Sequence, residues 1–218
     1  MDFAHLTAEP LHEQAYAALR NALLMGRFAE GQLVTVRGLG ASLGISATPV
    51  REALQRLIAE GAMELTANRS VQVPVMTRAR FVEILGIRLR LEPLCAETAV
   101  GGVDASLLSR LTALNGEMDV ALADGRFSDY LAANQSFHFQ IYETSGQPFL
   151  QQLIGLCWLR TGPWLNRLAN EGRFHAVATE CHGKMIAALH EGNAPALAEA
   201  IRQDISDAAE VLLDILDS

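Results

Sequence analysis

The sequence predicts a mainly α protein in two parts, three helices and a β-hairpin followed by an all-α antiparallel helical bundle. Three observations lead there. Apolar residues recur at helical spacing through the first 60 or so positions. Two short β-branched stretches then flank a turn between residues 63 and 75. From Thr77 onward only helical periodicity remains, cut by short separators that contain glycine or asparagine.

The elements can be justified in order. From Pro10 to Met25 an apolar stripe runs through Leu11, Ala15, Ala18, Leu19, Ala22 and Leu23. Gly26 and Gly31 bracket the turn that follows. Thr35 can cap a short helix with Val36, Leu39 and Leu43 inward, and Gly44 ends it. Ser46 can cap a third helix that turns Val50, Ala53, Leu54, Leu57 and Ile58 inward and stops at Gly61. Pro49 falls in its first turn, where a missing N–H costs little. Residues 63–66 and 71–75, with Ala67 to Ser70 as the turn, make the hairpin. Helix, short helix, helix and hairpin together are the winged helix-turn-helix arrangement.

Beyond it, residues 78–100, 104–123, 127–144, 148–169, 174–191 and 194–216 read as helices, and Pro163 is expected to break or kink the fourth. Such short connections favour antiparallel neighbours. The expected division is a winged helix-turn-helix domain over 1–75 and an all-helical domain over 76–218.

Half of the residues are hydrophobic, which excludes global disorder, and no apolar run approaches the ~20 residues that span a bilayer. The acidic start MDFAHLTAEPLHEQ lacks the basic and apolar regions of a secretory signal. Cys95, Cys157 and Cys181 are widely spaced, odd in number and without a CxxC pair, so buried free thiols are expected. A cytoplasmic protein with no membrane partner follows. The net charge is −8, from 17 basic and 25 acidic residues. The acidity lies mainly after Pro74. Within 35–74 Arg37, Arg51, Arg56 and Arg69 outnumber Glu52, Glu60 and Glu64, a faint basic footprint. Arg56 is expected to pair with Glu52 or Glu60 one turn away rather than touch DNA.

The stretch VRGLGASLGISATPVREALQRLIAEGAMEL, residues 36–65, resembles the core of the GntR family of bacterial regulators. The matches are Leu39-Gly40, Leu43-Gly44-Ile45-Ser46, Thr48-Pro49-Val50-Arg51-Glu52-Ala53-Leu54, Leu57 and Glu60-Gly61. That resemblance implies double-stranded operator DNA as a partner and the third helix as the reader of the major groove. With Val50, Leu54, Leu57 and Ile58 buried, Thr48, Arg51 and Gln55 share the outward face. Arg51 can contact guanine bidentately. Arg37, Ser46 and Thr48 are placed for phosphate or base contacts, and Arg69 at the hairpin tip for the minor groove. Ala47 stands where the family commonly has arginine, which removes one base contact. Gly38 and Gly40 soften the second helix.

Three later stretches resemble the FadR-type, all-helical FCD effector domain: Arg88-Leu89-Arg90-Leu91-Glu92, Asn134-Gln135-Ser136-Phe137-His138, and His182 through Asp204. Many such domains hold a divalent metal with one aspartate and three histidines. By position the four places here are Asn134, His138, His182 and Asp204, two of them changed in residue type. One carboxylate is kept, and the set suits zinc, nickel, iron or manganese. The other reading makes His138 and His182 hydrogen-bonded core histidines with Asn134 and Asp204 as partners. Arg88 can hold a small carboxylate effector in its planar fork, or close an internal ion pair with Glu92 or Asp204. His5, His12, His175 and His190 read as surface residues.

The function expected is a homodimeric transcription regulator, a repressor, whose operator binding responds to a small organic acid. One alternative is a metal-free regulator with an apolar or acyl ligand among Trp158, Trp164, Phe137, Phe139 and Phe149. A metal-dependent hydrolase or lyase using the same four residues is a further one, without any nucleophile motif or phosphate loop to support it.

Overall fold

Caps and turns set the first elements. The computed structural model describes residues 10–175 and 178–217, so His5 lies outside the described residues. The described chain divides into two compact units, one holding residues up to Leu23 with Phe28–Val75, the other Leu24–Arg27 with everything from Met76 on.

The first unit carries α1 (Leu11–Leu24), β1 (Leu33–Val34), α2 (Val36–Leu43), α3 (Ala47–Ala59), β2 (Glu64–Leu65) and β3 (Val71–Gln72). Thr35 caps α2 as expected, its hydroxyl accepting from the Gly38 N–H at 3.0 Å. Gly44 ends that helix at φ 68°, a left-handed conformation that suits glycine. Ser46 differs from expectation. Its backbone is the N-cap of α3, but its side chain makes no capping bond. A capping oxygen accepts from the second or third N–H of the helix, and Pro49 at the third position has none.

Val50, Leu54 and Leu57 of α3 are buried together with Leu23 and Met63. On α1 the buried row is Ala15, Leu19 and Leu23, spaced by four, while Leu11 and Ala18 of the expected stripe are exposed. The hairpin forms, and it gains a strand the sequence reading lacks. β3 is central, pairing antiparallel with β2 through Leu65 and Val71 and with β1 through Val34 and Val71. Arg56 pairs with Glu60 at 3.2 Å and with Glu13 at 2.9 Å, its guanidinium lying 3.6 Å over the Tyr16 ring. Glu52, the other expected partner, lies instead 3.6 Å from His12.

The second unit carries α4 (Arg78–Ala99), α5 (Ala105–Ala123), α6 (Phe127–Glu143), α7 (Pro148–Leu165), α8 (Gly172–His175), α9 (Glu180–His190) and α10 (Ala194–Asp217). Thr77 and Asp104 cap α4 and α5 through their side chains. Pro163 does not break α7. The helix runs through it to Leu165 and tightens into a 3₁₀ turn over Asn166–Asn170, so the lost N–H falls where the ladder is ending anyway. The helix expected over 174–191 is two pieces: α8 ends at His175, and a turn at Ala178–Thr179 precedes α9. There the Thr179 hydroxyl donates to Asp119 of α5 at 2.6 Å. His175 is less exposed than expected, its ring stacked against Phe127 and its Nε2 atom buried. The three cysteines are buried and free.

α10 packs along α4 and α9, and α5 lies against α6. Among the described residues this brings four buried polar side chains, Glu92, His138, Thr161 and His182, into a mainly apolar interior. Among the described residues no helix is long and apolar enough to cross a membrane.

Leu57 is fully buried, so Leu57→Ala is expected to lower unfolding free energy by about 2–5 kcal/mol in urea titrations. A loss below about 0.5 kcal/mol would mean that α3 does not anchor its unit.

Candidate functional site

The first unit presents one polar face. With Val50, Ala53, Leu54 and Leu57 turned inward, Ser46, Thr48, Arg51 and Gln55 are exposed on α3 and Arg37 is exposed on α2. Arg37 and Arg51 line one open hollow of about 680 Å³ with Gly40, Gly44 and Ala47. Gly40 is also closely packed. A Cβ on it would sit 3.0 Å from the Ile45 carbonyl, so the turn after α2 would have to shift to admit a side chain. Arg69 occupies the tip of the hairpin, exposed, with φ 59°. It is the non-glycine residue with positive φ among the described residues. Holding an arginine there costs about 1–2 kcal/mol.

The second unit gathers His138 of α6, His182 of α9 and Asp204 of α10. His138 Nε2 lies 3.3 Å from Asp204 Oδ2 and 3.3 Å from His182 Nε2, and His182 Nε2 lies 3.7 Å from Asp204 Oδ1. Bonds of about 2.0–2.2 Å from a tetrahedral cation place its ligand atoms about 3.3–3.6 Å apart; the two contacts of His138 match that spacing, His182 approaches the other Asp204 oxygen slightly less closely, and one ligand atom from each residue lies within 4.8 Å of the others. The ionisation states fit as well. Burial drives the His182 pKa down to about 4, which leaves its imidazole neutral at pH 7. Burial opposes ionisation of Asp204, but its bond to His138 and the nearby His182 and Arg88 hold its pKa below the ordinary value. A neutral imidazole and a carboxylate are donors a zinc-like ion takes. His182 Nδ1 is buried without a hydrogen-bond partner among the described residues.

Asn134, the fourth expected ligand, lies one turn before His138. It lines a small cavity of about 40 Å³ with Arg88, Tyr130, Trp158, Phe174 and Asp204. Arg88 therefore does reach the neighbourhood of the cluster, and its anion is internal. Its Nε lies 2.5 Å from Glu92 Oε1, one turn along α4. Burial opposes the Arg88 charge, and Glu92 nevertheless raises its pKa.

Glu92 is the functional-site residue that sequence reasoning passed over, treated there only as a possible partner of Arg88. It has no exposure at all. Its Oε2 accepts from the Tyr142 hydroxyl at 2.7 Å and from Trp158 Nε1 at 3.1 Å. Tyr142 in turn lies 3.3 Å from His138 Nδ1. The signal was a repeated i, i+4 spacing, Arg88 to Glu92 and His138 to Tyr142, on two helices. Of the aromatic residues considered for an acyl pocket, only Trp158 lines the cavity. Phe137 is buried against the His182 ring, Trp164 packs on Phe81, and Phe149 is exposed.

Two family models match the chain, the bacterial regulatory proteins of the gntR family over residues 11–73 and the FCD domain over residues 83–207. The chain belongs to the GntR family. Within it, this FCD-type member is 31% identical over 197 residues to the HTH-type transcriptional regulator McbR of Escherichia coli (strain K12), covering 86% of this chain and 88% of that one. It is 27% identical over 154 residues to an uncharacterized HTH-type transcriptional regulator, YdhC, of Bacillus subtilis (strain 168), covering 70% of this chain and 69% of that one. The solved structure of E. coli McbR/YncC superposes with a TM-score of 0.89 at 26% identity, over 95% of this chain and 99% of that one. A putative GntR regulator from Rhodococcus sp. RHA1 shares the fold at a TM-score of 0.73 and 23% identity, over 93% of this chain and 97% of that one. This GntR-family protein is thus a DNA-binding transcriptional regulator.

Arg69→Gly separates fold from function in the hairpin. Its thermal midpoint should stay level or rise, since glycine removes the left-handed strain, while affinity for operator DNA falls. A lower midpoint would show that the arginine side chain supports the turn.

Proposed function

We propose that this protein is a homodimeric cytoplasmic repressor whose grip on its operator is set by a small organic acid bound beside a divalent cation in the FCD domain. The convergence of His138, His182 and Asp204 at separations of 3.3 to 3.7 Å carries this reading. Those three residues would hold zinc, nickel, iron or manganese, with Asn134 as a neutral fourth donor. The cation would supply a Lewis-acidic anchor for a carboxylate. Arg88, on the wall of the same cavity, is the second anchor for that group. On the DNA side Arg51 and Gln55 would meet base edges, Thr48, Ser46 and Arg37 the backbone or neighbouring bases, and Arg69 the minor groove.

Cavity size favours a small ligand over the acyl alternative. Ligand pockets for larger organic molecules run to roughly 300–1,000 Å³, whereas this cavity is about 40 Å³ and takes little beyond one small polar group. The named relatives are transcriptional regulators, which favours regulation over hydrolase or lyase chemistry at the same residues.

Elemental analysis of the untagged protein tests the metal. About one divalent ion per subunit is expected, lost in His182→Ala. No ion after reconstitution with zinc, nickel and manganese would remove the metal from the account. For DNA, an operator selected from a random-sequence pool by the wild-type protein should bind Arg51→Ala roughly 5–150-fold more weakly, corresponding to about 1–3 kcal/mol. Unchanged binding would take Arg51 off the bases.

A further inference from the structure

We infer that Glu92 and Tyr142 form a positioning relay that fixes which nitrogen of His138 faces the cation, so that two residues outside the ligand set control metal affinity. This rests on the reading of His138, His182 and Asp204 as the metal ligands. The argument counts hydrogens. A phenol has one hydrogen to donate and a carboxylate can only accept. An ordinary phenol keeps that hydrogen at neutral pH. The 2.7 Å contact of Tyr142 with Glu92 Oε2 therefore consumes it. What the hydroxyl oxygen offers His138 Nδ1, 3.3 Å away, is a lone pair. The imidazole must answer with Nδ1–H. In the neutral ring this leaves the Nε2 lone pair pointing at Asp204 and His182, where the cation would sit.

Without the relay nothing among these contacts prefers that arrangement. A ring hydrogen on Nε2 instead would donate to the Asp204 carboxylate and block the ligating atom. Glu92 is itself held rigidly, by Arg88 on its own helix and by Trp158 Nε1 at 3.1 Å from α7. The relay thus transmits orientation from the α4 carboxylate, through α6, into the ligand triangle. Partners of this kind on metal-bound histidines change affinity by roughly 10–100-fold when removed.

The test combines a spectrum and a titration on the full-length protein. In ¹⁵N-histidine NMR of the metal-free wild type, His138 should carry its hydrogen on Nδ1. In Tyr142→Phe, which keeps the ring and its packing, that hydrogen should move wholly or partly to Nε2. Zinc affinity, by competition with a chromophoric chelator, should drop roughly 10–100-fold. Glu92→Gln provides a second variant. A wild-type His138 with its hydrogen on Nε2 would overturn the relay. So would a folded Tyr142→Phe protein with an unchanged His138 spectrum and zinc affinity within about threefold. A wild type that binds no zinc would overturn the metal reading and the affinity claim with it, while the spectrum alone still decides the orientation.

Discussion

A carboxylate shut away from water is the constraint on which the second unit depends. Glu92 has no exposed surface, and an unpaired buried charge costs several kcal/mol. It is tolerated because three donors meet it: Arg88 from its own helix, Tyr142 from α6 and Trp158 from α7. Each has to arrive at the right height along its helix, so the pair fixes the mutual register of α4, α6 and α7. That register sets where His138 emerges one turn before Tyr142. α9 and α10 then bring His182 and Asp204 to meet it, so the His138–His182–Asp204 cluster of α6, α9 and α10 stands on a polar network laid by α4, α6 and α7. Apolar packing alone would tolerate a slip of a fraction of a turn; a charged hydrogen-bond network with fixed geometry does not.

The two units use charge differently. The first spends its arginines at the surface, with Arg37 and Arg51 facing one hollow and Arg69 at the hairpin tip, and commits Arg56 to Glu13, Glu60 and Tyr16. Overall the chain carries −8, so its net charge gives little long-range attraction to DNA, and under the proposed function recognition would rest on local contacts from α2, α3 and the hairpin. The second unit keeps its arginine indoors at position 88. There a planar, permanently charged fork serves Glu92 while lining the cavity that Asp204 also faces.

Much of this was legible in the sequence, for identifiable reasons. The Thr35 cap, the Gly44 stop and the periodicity of α4 to α6 depend on neighbours in the chain, and the structure places them as read. Strand β1 was not legible, since two residues, Leu33 and Val34, carry no alternation. Ser46 shows how a local rule yields to an adjacent one: the side chain type was right, but Pro49 removes one of the two N–H groups it could accept from. The grouping of His138, His182 and Asp204 was visible through resemblance, while the Glu92 network was only half visible. An i, i+4 pair on one helix is readable; the meeting of Glu92 with Tyr142, 50 positions later, requires the helices to be packed.

The central claim is that His138, His182 and Asp204 close on one divalent cation. X-ray absorption at the zinc edge of the reconstituted protein tests it most directly. The account predicts a first shell of nitrogen and oxygen at about 2.0–2.2 Å, with the outer-shell scattering of two imidazoles. A shell without imidazole scattering, or one containing sulfur, would contradict it.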